Sequence, residues 1–304
     1  MIWSTLSYTE AKETYATLHL WTQVVGKVKL AKLPWINHSW HVTLFVTPTG
    51  LTTGDISDKN GHFQIDFDFI QHRLLITTDK GEARSIDLKQ MVVAEFYDRL
   101  MKILDELAIE VTIRTIPNEL MDVIPFEKDY THQTYDPQHA RDLHMALIAS
   151  EEVLTLFRSE FVGKCSPVHF FWGSFDLAVS RFSGRKAPRH PGGIPNLPDW
   201  VAQEAYSHEV YSCGFWPGNE MVPYAAFYAY IYPEPENFKG APIHPSQAFY
   251  HSELMEYILP YETVQKSDNP ENTLLQFLHS TYDAAASLAT WDRQALEKSV
   301  IRQI

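Results

Sequence analysis

The chain has 304 residues, of which 45% are hydrophobic and 21% are charged, and its formal net charge is −13. This composition excludes disordered chains, collagen, coiled coils and disulfide scaffolds, and the acidic balance argues against nucleic acid or anionic membrane as a partner. No apolar run reaches the roughly 18 residues that a membrane-spanning helix needs. The start lacks a secretory signal and only Cys165 and Cys213 are present, so we expect a reduced, cytoplasmic protein.

Four helices are indicated by capping residues followed by apolar positions at helical spacing. Their predicted starts are the capping box at Ser7, a second box at Asp87, and the Asp-Pro and Asn-Pro pairs at Asp136 and Asn269. The first helix is expected to end at Gly26 and the third at Gly163, because glycine commonly follows the last helical turn.

Strands are predicted between these helices, mainly where apolar and polar residues alternate. The predicted ranges are 40–47, 63–69, 74–78, 110–114, 169–182, 207–215 and 227–232. This order of helices and strands predicts an α+β fold with mixed or antiparallel sheets and flanking helices. Two stretches rich in Pro and Gly, 183–199 and 233–245, are either functional covers or disordered loops.

Each half of the chain carries the tripeptide Val-Gly-Lys where a helix is expected to end, at 25–27 and at 162–164. A duplication would give two similar α+β halves, 1–134 and 135–304, about a pseudo-dyad with a cleft between them, in one compact body. Helix ends of this type also arise independently, so both interpretations stay open.

Motifs for nucleotide cofactors are absent. Trp21 and Arg158 stand where a phosphate-binding loop needs its first glycine, and no G-x-G-x-x-G occurs. His208 and Glu209 begin a zinc-protease motif, but Ser212 replaces its second histidine.

The segment 164–218 contains the densest set of candidate site residues. Between Arg158 and His190 there are six lysines and arginines and only two acidic residues. Arginine offers two parallel donors to a carboxylate or phosphate, so this segment predicts a site for a small anionic molecule. Surface pairing with acidic groups is the alternative. The predicted substrate-binding residues are Lys164, Trp172, Arg181, Arg185 and Trp216.

Catalytic candidates come from the histidines and carboxylates of the same segment. His169 and Asp176 stand within an apolar run, where burial perturbs titration. We expect His169 or His208 to exchange protons, and Asp176 or Glu209 to orient the imidazole. A buried histidine that bonds a backbone carbonyl is the structural alternative for His169.

A metal site is a further interpretation, because the chain has 14 histidines. His38 and His41, with His169 and His208, would supply donor atoms that zinc or iron accepts. In a regular strand His38 and His41 point to opposite faces, so both could bind one ion only if the chain bends before Trp40.

Several longer strings carry a resemblance that covers nearly the whole chain. They are GKCSPVHFFWGSFD from Gly163, RFSGR from Arg181, AYSHE from Ala205, FWPG from Phe215 and NHSWH from Asn37. The chain resembles an uncharacterised bacterial family, the domain of unknown function 5996. The resemblance implies no established activity. The candidate residues of segment 164–218 predict a small-molecule enzyme that acts on an anionic substrate in a cleft lined by this segment. A non-catalytic small-molecule or metal-binding protein is the alternative.

Overall fold

The computed structural model describes residues 2–298 and, within that range, contains seven α-helices and two antiparallel sheets. The helices are α1 (Tyr8–Lys32), α2 (Val93–Glu106), α3 (Pro137–Ser159), α4 (Asp199–Ala205), α5 (Tyr261–Gln265), α6 (Pro270–Leu288) and α7 (Arg293–Leu296). The predicted α+β class is confirmed. No helix in the described range is long and apolar enough to cross a bilayer.

The first sheet is formed by residues 45–87. Its strands are β1 (Phe45–Thr47), β2 (Gly50–Thr52), β3 (Ile56–Asp58), β4 (Gly61–Asp68), β5 (Arg73–Thr78) and β6 (Ala83–Asp87). They lie in the order β1-β2-β4-β5-β6, and β3 pairs with β4. Phe67 of β4 stacks on Phe96 of α2, which in turn stacks on Trp21 of α1 at 4.8 Å between ring centroids. Helices α1 and α2 therefore cover the buried face of this sheet.

The second sheet is formed by residues 169–260. Its strands are β7 (His169–Phe171), β8 (Asp176–Lys186), β9 (His208–Trp216), β10 (Ala226–Tyr232), β11 (Phe249–His251) and β12 (Glu256–Pro260), in the order β11-β12-β10-β9-β8-β7. Odd-numbered residues of β8 and β9 face helices α3 and α6. Tyr211, for example, shares a 2.8 Å hydrogen bond with the Thr281 hydroxyl of α6. The even-numbered residues form the opposite face.

The two sheets belong to one core. Leu44 and Phe170 exchange two backbone hydrogen bonds of 2.8 and 2.9 Å, which join the start of the first sheet to β7. Buried apolar residues form a continuous cluster from Ala11 to Trp291. The two Val-Gly-Lys strings are not equivalent in this fold, because Gly26 lies inside α1 whereas Gly163 lies beyond the end of α3.

Three predicted helix starts are confirmed, because α1 follows Ser7, α3 follows Asp136 and α6 follows Asn269. Asp136 accepts hydrogen bonds from two backbone N–H groups of α3, and Asn269 accepts one from α6. The predicted end of α1 at Gly26 is wrong, because α1 continues to Lys32. The predicted start of α2 at Asp87 is also wrong, because Asp87 pairs with Arg73 in the first sheet and α2 begins at Val93.

Three strand predictions are corrected. Residues 37–39 form a 3-10 helix with positive φ at His38 and Ser39, and a turn follows at 40–42. The predicted strand 40–47 is therefore shortened to β1. The predicted strand 110–114 is not formed, because this segment lies outside both sheets and has no regular structure. Its Ile113 side chain is buried in the core. The predicted strand 169–182 is divided into β7 and β8 by a turn in which Phe175 has φ 60°.

Candidate functional site

Two adjoining cavities of about 370 and 520 Å³ lie on the even-numbered face of the second sheet. Their walls come from β8, β9 and β10, α1, segment 114–120, the loop 187–198 and α4. The shared lining residues are Glu119, Gly173, Ser174, Asp176, Ile194, Tyr206, Tyr228 and Tyr230. Two exposed tryptophans, Trp35 and Trp200, line the smaller cavity, and their ring centroids lie 4.8 Å apart. The smaller cavity therefore has an aromatic, solvent-accessible edge.

Small residues on β8 and β9 make room for the tyrosines of β10. Gly214 pairs with Ala178 on one side and with Tyr228 on the other. A Cβ atom at Gly214 would lie 2.6 Å from the Tyr228 hydroxyl oxygen. Ser212 takes the same position beside Tyr230. The absence of bulk on β9 thus lets the tyrosine rings lie across the strand and reach the cavities.

Asp176 is buried where the two cavities meet. Its carboxylate accepts a 2.5 Å hydrogen bond from the Ser174 hydroxyl and a second hydrogen bond from the Tyr228 hydroxyl. Burial raises the pKa of Asp176, whereas the two hydrogen bonds oppose that rise because they stabilise the charged form. Asp176 is consequently a carboxyl held in a defined orientation by two neutral donors.

Glu119 and Glu256 are two further carboxyls of this site. Burial and the charge of Asp176 raise the pKa of Glu119 to about 7 and that of Glu256 to about 8. Burial disfavours the charged form of both carboxyls and their negative charges would repel that of Asp176, so Glu119 and Glu256 retain protons near neutral pH. Glu119, which lines both cavities, and Glu256, which lines the larger one, are therefore carboxyl groups that can both give and take protons.

His38 lines the smaller cavity as a neutral imidazole. Its Nδ1–H donates to the Ala205 carbonyl at 2.8 Å, and its Nε2 accepts from the Lys164 ammonium at 2.6 Å. Burial lowers the pKa of His38, and the Lys164 charge lowers it further. The ring of His208 lies 6.2 Å from that of His38, between centroids.

The structure brings some of the predicted site residues to the cavities. Those that line a cavity are Asp176, Trp172, His38 and Trp216. Lys164 and His208 lie beside His38 but do not line either cavity. Trp172 is held by a 2.8 Å hydrogen bond from its Nε1 to the Val42 carbonyl.

Arg181 is not brought to the cavities. It is only 2% exposed and its guanidinium lies 3.4 Å from the ring centroid of Phe157 and 4.4 Å from that of Tyr282. Because side chains alternate along a strand, odd-numbered Arg181 faces the helices whereas Asp176 faces the cavities. The expectation that both residues act at one site does not agree with this geometry.

Arg185 and Glu209 also lie away from the cavities, where they pair with each other. The guanidinium of Arg185 donates to one carboxylate oxygen of Glu209 at 2.7 and 2.9 Å, and Ser183 donates to the same oxygen. This pairing agrees with the alternative of surface ion pairs. His169 is fully buried, lines neither cavity and has no hydrogen-bond partner in the described chain. Burial lowers its pKa to about 3, so the ring is neutral.

The four histidines do not form the predicted metal site. His41 accepts a 3.1 Å hydrogen bond from the Ile36 N–H through Nδ1 and packs against Trp35, while His38 uses both ring nitrogens elsewhere. Within residues 2–298 no three His, Cys, Asp or Glu residues are grouped as metal ligands.

Sequence reasoning missed several cavity residues: Lys27, Arg114, Asn118, Glu119, Tyr206, Tyr228, Tyr230 and Glu256. A signal existed for the tyrosines, because Tyr228 and Tyr230 alternate with small or apolar residues along a predicted strand. Glu119 lies in an irregular segment without any pattern, and Lys27 followed the glycine that was expected to end α1.

A model of the family of unknown function DUF5996 matches residues 3–298. The chain belongs to this family. This membership confirms the resemblance noted in the sequence. No curated protein and no solved structure gives a significant match.

Proposed function

We propose that this DUF5996 protein is a small-molecule enzyme that transfers protons at the junction of the two cavities. The observation that carries the proposal is the placement of Asp176, oriented by Ser174 and Tyr228, among the raised-pKa carboxyls of Glu119 and Glu256. Groups whose pKa lies near the working pH are effective general acids and bases. Asp176 can therefore take a proton from a substrate while Glu119 or Glu256 gives one, so that the total charge of the three carboxyls is unchanged.

The walls of the smaller cavity support an organic substrate with an apolar or planar body. Its lining includes the rings of Trp35, Trp40, Phe171, Trp172, Phe182 and Trp200. Such rings stack on flat groups and cover apolar ones. Arg114 lines the same cavity and is exposed, so it can bind an anionic group of the substrate. The proposal keeps the anionic substrate that the sequence predicted. Arg114 takes the substrate-binding role that was predicted for Arg181 and Arg185.

A non-catalytic binding protein is the second candidate, and the aromatic walls favour it equally. We place either activity in the cytoplasm, which suits a chain whose two cysteines are both free. The carboxyls distinguish the candidates, because a binding protein has no need for groups that titrate near neutral pH.

The test uses purified protein, a metabolite extract and mass spectrometry to find compounds that are consumed and formed. Asp176→Asn keeps the shape of the side chain but cannot exchange a proton, and we expect it to lower turnover by about 10²-fold or more. Exposed Asp122→Asn is the matched control and should turn over as the wild type does. Compounds retained but not converted would overturn the enzyme in favour of the binding protein. Full turnover by the Asp176→Asn protein would remove Asp176 from the reaction.

A further inference from the structure

Lys27 is a buried amine that faces the smaller cavity. It lies near the end of α1, is only 4% exposed and lines that cavity together with Asn118 and Trp172. Its Nζ donates to the Oδ1 atom of Asn118 and lies 5.8 Å from the ring centroid of Trp172. No carboxylate oxygen among residues 2–298 lies within 4 Å of this nitrogen. Lys27 is thus a cavity lysine held by a neutral partner.

The partner of Lys27 is fixed in its orientation. The Asn118 side-chain Nδ2 donates to the Asn196 carbonyl at 2.6 Å, which leaves Oδ1 to accept from the lysine. The backbone of Asn118 exchanges two hydrogen bonds with the Gln23 side chain, of 2.7 and 2.9 Å. Helix α1, segment 114–120 and the loop 187–198 therefore all hold this pair. An amide acceptor orients an amine and, unlike a carboxylate, leaves its charged form without a counter-ion.

Burial, and then the charge of Arg114, lower the pKa of Lys27 to about 8. A lysine in this condition is partly neutral at physiological pH, and the neutral amine is the form that attacks an electrophile. The same cavity holds Glu119, the residue after Asn118, whose carboxyl keeps a proton to about pH 7. A nucleophile and a proton donor thus face one space.

Lys29 is the matched comparison within the same helix. It is also 4% exposed, and burial lowers its pKa to about 8 as well. Its Nζ donates to the Thr43 carbonyl at 2.5 Å and lies 5.0 Å from the ring centroid of Phe45. It lines neither of the two adjoining cavities. Burial and titration are therefore shared by both lysines, and access to the cavity separates them.

We propose that Lys27 forms an imine with a carbonyl compound that carries an anionic group, which Arg114 binds. This inference rests on the cavity of the proposed function and adds the class of substrate. The neutral Nζ attacks the carbonyl carbon, a C–N bond forms, and one N–H proton moves to the oxygen to give a carbinolamine. Glu119 then protonates the hydroxyl group, the C–O bond breaks and water leaves. The products are a protonated imine on Lys27 and the carboxylate of Glu119.

The test is reductive trapping in the intact protein at about pH 7.5. Glyoxylate and glycolaldehyde are two-carbon aldehydes, and only glyoxylate carries a carboxylate; cyanoborohydride reduces either imine to a stable amine that peptide mass spectrometry locates. We expect glyoxylate to label Lys27 at least tenfold faster than Lys29 or exposed Lys102. Labelling of Lys27 no faster than of these two lysines would overturn the imine.

Arg114→Gln tests the anionic group. It should remove the preference of Lys27 for glyoxylate over glycolaldehyde, whereas Arg84→Gln, at another exposed arginine, should keep it. Equal labelling by the two aldehydes in the wild type would overturn the anionic group. Turnover of a metabolite that depends on Asp176 while Lys27 stays unlabelled would refute this inference and leave the proposed function standing. Labelling of Lys27 combined with full turnover by Asp176→Asn would refute the proposed function instead.

Discussion

At the scale of single residues, Glu256 shows how the cavity affects stability. Its carboxyl has a pKa of about 8 in the folded protein, against an ordinary value of 4.5, because of burial and the charge of Asp176. Above pH 4.5 the unfolded chain releases this proton while the folded chain keeps it. The free energy of unfolding therefore falls as the pH rises from about 4.5 to about 8, and the cost is complete above that range.

Glu256→Gln should remove this cost, because glutamine has no proton to lose. We expect the free energy of unfolding to rise by about 2 kcal/mol relative to wild type at pH 8, and to change little at pH 5. Thermal and denaturant unfolding at both pH values measures the difference. The control is Glu253→Gln at an exposed carboxyl, which should show no such pH dependence. An equal effect of Glu256→Gln at pH 5 and pH 8 would contradict the explanation.

At the scale of elements, the close approach of α1 to the turn after β7 positions the site. Gly26 lies in the interior of α1, and a Cβ atom there would lie 2.2 Å from the Cδ1 atom of Trp172. The indole therefore packs directly on the helix backbone, next to Lys27. From the same turn, the Gly173 carbonyl forms a 2.8 Å hydrogen bond with His19 of α1. One helix thus supports both the aromatic wall and the cavity lysine.

Gly26→Ala should destabilise the protein by about 1–3 kcal/mol, because the new methyl group overlaps the Trp172 ring. In an open helix the same change would stabilise by about 1 kcal/mol, so the sign of the effect is diagnostic. Denaturant unfolding measures it. Gly240→Ala, where nothing lies within 4 Å of the new atom, serves as the control and should change stability little. A more stable Gly26→Ala protein would show that α1 and Trp172 are not in contact.

At the scale of the whole molecule, the two halves share their core and exchange terminal contacts. Besides the Leu44–Phe170 pairing, the Tyr261 hydroxyl donates to the Ser4 carbonyl at 3.0 Å, and the Ser4 hydroxyl donates to the Asp142 carbonyl at 2.6 Å. The first residues of the N-terminal half are therefore anchored on the C-terminal half. The predicted boundary at 134/135 lies just before α3, in the part of the chain between the two sheets.

We expect the chain to unfold in one cooperative transition, and the fragment 135–304 to remain unfolded when produced alone. Separation would expose apolar residues that the other half now covers, and small domains tolerate little such exposure. Tryptophan fluorescence and far-ultraviolet circular dichroism should give coincident transitions for the full chain. Two separate transitions, or a fragment with a cooperative melt of its own, would show that the halves are independent domains.

Features that short stretches of the chain encode could be predicted from the residues alone. The capping residues Asp136 and Asn269 start α3 and α6 as predicted, because a cap bonds to its own first turn. Alternation of apolar and polar residues along β4 indicated a strand, because side-chain direction in a strand has a period of two. The α+β class followed from the order of these elements, and the family from the longer strings.

Which residues meet in the site depends on packing between distant parts of the chain. Gly26 has the form of a helix end, and its contact with Trp172, 146 positions away in the chain, explains why α1 continues and carries Lys27 to the cavity. Arg181 and Asp176 are close in sequence but lie on opposite faces of one sheet. Glu119 reaches the site from an irregular segment. Distant packing sets the position of these residues, and local patterns do not record it.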